Sequence, residues 1–216
     1  MTRSSNLKHP KYEYTHMAKP RITENKDGSV TVRLRNVRLS FPSLFKPRAF
    51  EEGKEPTYQA TFLMPRVGDP EENLKFMQQG ITLVVKNGLK GVHPGADRVC
   101  IRSGKEKGEA GIDGYSDAIA FCGSNSRKRP VVVNRDLTPL NEEDGKPYAG
   151  CYVNASVRLW AQDGSKNPKW GKRVNAQLRA VQFWADGDQF GESSVDADDE
   201  FESEEGGEPS AAGDLL

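Results

Sequence analysis

The sequence predicts a mainly β protein, a small barrel of short strands with one inserted α-helix and disordered ends. Period-two alternation of apolar and polar residues recurs through residues 26–185, and only one segment shows helical spacing. Residues 1–25 and 186–216 show neither, so the chain divides into an N-terminal arm (1–25), one domain (26–185) and a C-terminal tail (186–216).

The first strand is read from Val30, Val32 and Leu34, which alternate with Thr31, Arg33 and Arg35. The apolar phase then flips around Asn36 to Val37 and Leu39, the signature of a β-bulge in one long bent strand. Tyr58, Ala60, Phe62 and Met64 alternate with polar neighbours and place Tyr58 and Phe62 in the core of a second strand that stops at Pro65. The helix follows. Asp69 is placed to cap it, Pro70 suits its first position, and Leu74, Met77, Ile81, Val84 or Val85, and Leu89 recur on one face. Gly80 weakens this helix, and Asn87-Gly88 offers a stop.

Short strands are expected at 98–102, 117–122 and 131–133. The clearest pattern comes last: Val153, Ala155, Val157, Leu159 and Ala161, then Val174, Ala176, Leu178 and Ala180, read as two half-buried strands of a hairpin. Trp184, beside Val181 and Phe183, is assigned to the core. Five to seven strands with a single helix and no internal repeat fit a small barrel such as an OB-fold with insertions.

The charge balance is uneven. The chain of 216 residues carries 31 basic and 31 acidic residues, but twelve of the acidic ones and none of the basic ones lie in 186–216, so the body is +12 and the tail −12. A basic body calls for a polyanionic partner, and a tail of equal and opposite charge is a built-in competitor for it. No apolar run approaches the length needed to cross a bilayer, and residues 1–19 contain no secretory signal, so a cytoplasmic protein with no membrane partner is expected. The three cysteines, Cys100, Cys122 and Cys151, lack paired metal or redox spacing and read as buried small apolar residues. His9, His16 and His93 are too dispersed for a metal site, and Gly104-Lys105 and Gly145-Lys146 lack the rest of a phosphate loop, so neither metal nor cofactor is implied.

Single-stranded nucleic acid is held by cations that displace counterions from phosphates and by aromatic faces on which bases stack. The outward positions of the hairpin supply both: Tyr152, Arg158 and Trp160 on one strand, Arg173 and Arg179 on the other, with Lys166, Lys169, Trp170 and Lys172 in the connecting loop. Arg33 and Arg35 on the first strand and the cluster Arg127-Lys128-Arg129 extend the track. Any half-buried strand has a polar face containing some Arg and Lys, so Arg33 and Arg35 alone fit plain solvation equally well. Two tryptophans beside cations in a hydrophilic hairpin are harder to explain by packing.

Several motifs also resemble a family of bacteriophage single-stranded DNA-binding proteins. They are Val37-Arg38-Leu39-Ser40-Phe41-Pro42-Ser43-Leu44-Phe45-Lys46-Pro47, the segment 58–65, Arg129-Pro130-Val131-Val132-Val133-Asn134-Arg135-Asp136-Leu137, Tyr148-Ala149-Gly150-Cys151-Tyr152 and Val181-Gln182, in matching order across about residues 28–201. The resemblance implies an OB-fold, binding of single-stranded DNA in phage replication or recombination, and an acidic tail that contacts other replication proteins. Arg127, Arg129, Arg135 and Tyr152 lie in its matching motifs. Asn134 departs from the family pattern, where an Asp precedes Arg135-Asp136. Relatives finish at an acidic cluster closed by Phe, as in Asp198-Asp199-Glu200-Phe201, whereas this chain runs on to Asp214-Leu215-Leu216. Either apolar end is a candidate docking element for a partner.

The expectation is therefore a non-enzymatic protein that binds single strands with little sequence preference and duplex DNA more weakly. Its tail would lie over the basic face until DNA displaces it; a flexible tail of some 30 residues spans about 30 Å. The alternatives are a metal-dependent nuclease or recombination enzyme using Asp113, Asp117 and Asp136, and an RNA-binding or structural protein.

Overall fold

The sheet is built around one strand of 19 residues, β2 (Val30–Arg48). The computed structural model describes residues 21–49, 51, 53–65, 70–165 and 168–191. Over its first part β2 pairs antiparallel with β7 (Tyr152–Gln162), and over its second with β3 (Thr57–Pro65). It serves both neighbours because it bends where the alternation flips. The register against β7 shifts between Leu34 and Val37, and Asn36 there has φ 50°. A bulge takes backbone groups out of the ladder, and here side chains satisfy them. Asn73 accepts the Arg35 N–H at 3.0 Å and donates to the Arg35 carbonyl at 2.8 Å, while Asn154 accepts the Asn36 N–H at 3.0 Å.

The ring continues from β3 to β5 (Ala118–Ser126), antiparallel, and from β7 to β8 (Arg173–Ala185), also antiparallel. A parallel bridge between Asn125 and Gln177 joins β5 to β8 and closes a five-stranded barrel in the order β2-β3-β5-β8-β7. Around it, β4 (Ile101–Ser103) pairs with β5, β6 (Val131–Val133) runs parallel to β8, and β1 (Ile22–Glu24) pairs with β2. This is the partly open Greek-key barrel of the OB type.

The barrel interior takes the apolar phase of each strand: Val30, Val32, Leu34, Val37 and Leu39 from β2, Phe62 and Met64 from β3, Cys122 from β5, and Val153, Val157, Leu159, Val174, Leu178 and Val181 from the hairpin. Tyr58 is half-buried and packs against this core. The helix α1 (Pro70–Gly88) adds Met77, Ile81, Val84 and Val85. Its glycines explain themselves by distance. A Cβ on Gly80 would stand 2.7 Å from Val32 Cγ2 and 3.0 Å from Leu159 Cδ1, and one on Gly88 would stand 2.5 Å from Ala161 Cβ. Gly88 is the last residue of the helix, where the sequence placed a stop, and it also serves close approach. The chain then turns away where Lys90 and Gly91 take positive φ and the Gly91 N–H returns to the Val85 carbonyl at 3.1 Å.

Several sequence expectations are corrected. Among the described residues the strands number eight, because Ile22–Glu24, inside the segment read as an arm, pairs with β2. Residues 98–102 are not one strand: Ala96–Arg98 is a turn of 3-10 helix, and β4 begins at Ile101. β5 runs on to Ser126, and a second, five-residue helix, α2 (Lys105–Glu109), joins α1. Trp184 is half-buried, with the Arg135 guanidinium 4.5 Å from its ring centroid. Asp69 lies outside the described residues.

The three cysteines are free; Cys122 and Cys151 are buried, Cys100 only half-buried, and burial pushes the Cys151 thiol up to about 12. No helix among the described residues is long and apolar enough to cross a membrane.

The close approach of α1 can be tested by Gly80→Val. Overpacking costs about 1–3 kcal/mol, and the return in helix propensity over glycine is only a few tenths. The variant is expected to lose about 2 kcal/mol in denaturant unfolding, with its folded spectrum retained.

Candidate nucleic-acid interface

β5 and β6 both run parallel to β8, and the loop between them leaves after the Asn125–Gln177 bridge and returns at the Val131–Ala180 pair. Residues 127–129 are thus a short excursion pinned at both ends, and all three side chains are exposed. Beside it rises the outer face of β7, where Arg158 is cross-strand neighbour to Thr31 and Gln177, and Trp160 to Asn175. The β1–β2 turn at 25–29 comes to the same place. Together these elements enclose an open cleft of about 580 Å³, lined by Asp27, Ser29, Asn125, Arg127, Lys128, Arg158, Trp160 and Gln177 among others.

The cleft carries the two functional groups that the sequence reading demanded. Trp160 is 40% exposed, unusual for an indole and enough to offer a ring face. Arg158 donates from Nε to Ser29 Oγ at 2.7 Å and from a terminal nitrogen to the Asp27 carboxylate, which fixes its guanidinium at the wall. The Ser29 hydroxyl and N–H hold the Asp27 carboxyl below its ordinary pKa, with Arg158 a smaller contributor. Arg127 pairs with Glu55 at 2.6 Å, both side chains largely exposed. Such a surface pair is worth about 0–1 kcal/mol and is easily exchanged.

At the far end of the hairpin, Pro168–Trp170 forms a turn of 3-10 helix, Trp170 is 46% exposed, and the Arg173 guanidinium lies 6.0 Å from its ring centroid. Lys169 and Lys172 neighbour Trp170 in sequence, the first exposed and the second half-buried. Arg33 shares the outer face of the sheet with Arg158 and donates to Thr23 Oγ1 at 3.1 Å. Arg35 is half-buried, with its backbone engaged by Asn73. Arg179 is exposed at the bulge of β8 against β7.

Of the expected residues, Arg127, Lys128, Arg158 and Trp160 line the cleft and the others do not; Arg129, Arg135 and Tyr152 are engaged elsewhere. The Arg129 guanidinium lies 5.7 Å from the Phe45 ring centroid and borders a second, apolar cleft of about 390 Å³ beside β6, with Val131, Pro139 and Leu140. Arg135 covers Trp184. Tyr152 is eight residues along β7 from Trp160, about 26 Å at 3.3 Å per residue. Its ring meets the Arg38 guanidinium at 5.5 Å and the backbone at Gly187, so it supports the chain leaving β8.

That chain, residues 186–191, was expected to belong to a disordered tail but is tied to the barrel. Asp186 is bonded to Lys146 Nζ at 3.0 Å and to the Tyr148 hydroxyl at 3.0 Å, and the Phe190 N–H donates to the Ala149 carbonyl at 3.0 Å. Lys146 holds the Asp186 carboxyl below its ordinary pKa. Arg38 secures the middle: it donates to the carbonyls of Gly150 at 3.0 Å and Asp188 at 2.7 Å and stacks on Phe190 at 4.4 Å. The Gly191 N–H then donates to Asp113 at 2.8 Å. Lys166 and the docking candidates Asp198, Asp199, Glu200, Phe201, Asp214, Leu215 and Leu216 lie outside the described residues.

Asn125, Gln177, Asp27 and Ser29 line the cleft without having been singled out from sequence. Gln177 was visible as a polar position of an alternating strand, whereas Asn125 lies beyond the 117–122 strand read from sequence. The place of Asp27 depends on which strands pair and had no local signal. The carboxylates of the nuclease alternative are occupied separately: Asp113 by Gly191, and Asp136 by the Thr138 N–H at 3.1 Å and hydroxyl at 2.6 Å, which lower its pKa. Among the described residues no three His, Cys, Asp or Glu side chains gather as a metal site.

A Greek-key barrel with a cleft of cations beside an exposed indole defines an oligonucleotide-binding class of protein. Comparison with known proteins makes this specific. Residues 30–211 match the family described as Enterobacter phage Enc34, ssDNA-binding protein, and the chain belongs to that family. It is a family of binding proteins, not of enzymes. The single-stranded DNA-binding protein from bacteriophage Enc34 in complex with ssDNA superposes with TM-score 0.66 at 29% identity, over 81% of this chain and 97% of that one. A C-terminal truncation of the same phage protein gives TM-score 0.64 at 28% identity, over 80% and 95%. Protein p50 of Acyrthosiphon pisum secondary endosymbiont phage 1 is 36% identical over 180 residues, 79% of this chain and 92% of that protein.

The strap at 186–191 is open to test through Arg38→Ala. Losing two carbonyl contacts and a ring contact is expected to raise amide hydrogen exchange at Phe190 about tenfold or more, with exchange in β7 and β8 little changed.

Proposed function

We propose that this protein binds single-stranded DNA with little sequence preference during phage replication or recombination in the host cytoplasm, using the cleft between the 127–129 loop and the outer face of β7. The observation that carries the reading is the convergence of Arg127, Lys128 and Arg158 with an exposed Trp160 in one cleft, from segments separated in sequence. Phosphates replace the Asp27 and Glu55 carboxylates on those cations, and a base stacks on the indole. Lys169, Trp170, Lys172 and Arg173 extend the path at the hairpin end, with Arg33 and Arg179 on the adjoining strand faces. Arg129, Arg135 and Tyr152 act at its periphery or through the scaffold. The side chains that contact phosphates do not distinguish strandedness but the stacking does, so duplex binds more weakly. Membership of the Enc34 family and the likeness to its DNA complex support this reading.

The acidic tail is the second part of the proposal. Twelve acidic residues follow Ala185, and the described chain ends at Gly191, bonded to Asp113 on the segment that follows α2. The tail competes with DNA for the basic face, and once displaced offers Phe201 or Leu215-Leu216 to a replication or recombination protein.

The experiment is a titration of fluorescent oligothymidine with the full chain and a form ending at Gly191, which keeps the strap, at several salt concentrations with duplex as competitor. Tight, salt-sensitive binding that prefers single strands and strengthens in the shortened form is expected. Trp160→Ala should weaken binding roughly five- to hundredfold without changing the salt slope, and Arg127→Ala should reduce that slope by about 0.7. Equal affinity of both forms at low salt would remove the competition by the tail; no binding by either would remove the function. A separate variant probes the wall: Asp27→Asn deletes a negative charge while keeping an acceptor for Arg158. Oligothymidine should bind about two- to fivefold tighter at low salt, and the gain should fade as salt screens it.

A further inference from the structure

Phe41 is the residue of β2 whose conformation the core does not explain. Its φ is 47°, a left-handed conformation rare for a bulky side chain, and it falls where the register of β2 against β3 shifts between Ser40 and Ser43. Yet the ring is 58% exposed, so little burial offsets the strain. What lies beside it is a cation. The Lys107 ammonium, carried on α2, is 5.7 Å from the Phe41 ring centroid and 4.8 Å from each of those of Tyr115 and Phe121. Tyr115 and Phe121 meet edge to face at 5.1 Å, with Tyr115 fully buried, so this wall is rigid.

The wall borders an open strip of sheet. Phe41 follows Ser40, which pairs with Thr61, which pairs with Gly123 on β5. A Cβ on Gly123 would meet nothing within 4 Å, so the surface there is flat and free. Two residues further along β5, about 7 Å, is Asn125, which lines the basic cleft. The cleft and the Phe41 wall are thus two ends of one continuous face, built from the second and third strands of the barrel.

We propose that Phe41 and Lys107 form a second subsite that takes one unpaired nucleobase on the Phe41 ring and its phosphate on the Lys107 ammonium, continuing the strand that enters at Trp160. The subsite rests on the reading of the protein as a single-stranded DNA binder. The backbone strain holds the ring out from the sheet, where it serves a ligand instead of the core. Burial, and then Arg102, disfavour the charged form of Lys107, and a phosphate beside it relieves both.

The test uses full-length protein and fluorescent oligothymidine, with thermal melting of every variant. Phe41→Ala and Phe41→Leu, the latter filling similar space without a flat ring, are both expected to bind roughly five- to hundredfold more weakly with the salt slope unchanged. Phe41→Trp keeps a ring and should bind within about twofold of the native chain. Lys107→Gln should weaken binding and reduce the salt slope by about 0.7. Native affinity in Phe41→Leu overturns the stacking role, whatever happens to Phe41→Ala, and an unchanged slope in Lys107→Gln overturns the phosphate role. If the native chain itself does not bind oligothymidine, the functional reading falls and the subsite with it. If the native chain binds and the Phe41 variants match it, only the subsite falls.

Discussion

The closure of the barrel between Asn125 and Gln177 is the constraint on which the rest depends. It is one parallel bridge in a barrel whose other four joints are antiparallel ladders, and it determines where β5 ends and therefore where the basic loop emerges. Beyond it the chain reaches β6, which resumes parallel pairing with the same strand, so residues 127–129 have nowhere to go but outward. The antiparallel pairing of β7 with β8 puts Arg158 opposite Gln177, and so brings Trp160 and Arg158 to the same place. A change in register by one residue on β8 would turn Gln177 and the other outward side chains of that strand into the core. Fold and cleft are thus fixed by the same hydrogen bonds.

Two further constraints protect that geometry. Gly80 and Gly88 let α1 approach Val32, Leu159 and Ala161 more closely than any side chain would allow, and so brace β2 and β7 from the inside. At the opposite end of β7, Arg38 holds 186–190 against Tyr152 and Gly150. The first residues of the acidic segment, 186–191, are consequently part of the domain.

Much of this was legible in sequence because it is local. The phase flip at Asn36 announced the bulge, the face from Leu74 to Leu89 announced the helix, and the alternation from Val153 onward announced the hairpin. Arg158 and the indole of Trp160 were legible as residue types on outward positions, and Arg127 and Lys128 as a basic loop. Which of them meet was not, since Arg127 and Arg158 are brought together by pairing between distant strands. Tyr152 illustrates the limit: it is outward-facing by alternation, as expected, but on the outer face it meets Arg38 and Gly187 rather than solvent. Ile22–Glu24 was missed because three residues carry too little periodicity to distinguish a strand from an arm, and its existence depends on β2 as a template. Gly80 counted against the helix when judged by propensity; its value is in packing, which propensity does not contain.

The ion pairs around the cleft bear on how such a surface can be both ordered and available. Arg158 is held by Asp27 and Ser29, and Arg127 by Glu55. Left alone, a cluster of guanidinium groups repels itself and samples many rotamers, and ordering each on binding would cost about 0.5–1.5 kcal/mol. Carboxylates at the rim remove part of that cost in advance by holding the cations in place. Because such exposed pairs are worth at most about 1 kcal/mol, they yield readily to a phosphate. On the proposed reading, each exchange of a carboxylate for a phosphate leaves the local charge balance nearly unchanged while releasing counterions from the nucleic acid, so most of the driving force comes from the polymer and from stacking. Under the same proposal the acidic tail would work by this exchange on a larger scale, presenting carboxylates to the same cations without offering a base to the indole, and stacking on Trp160 would be what separates the ligand from its competitor.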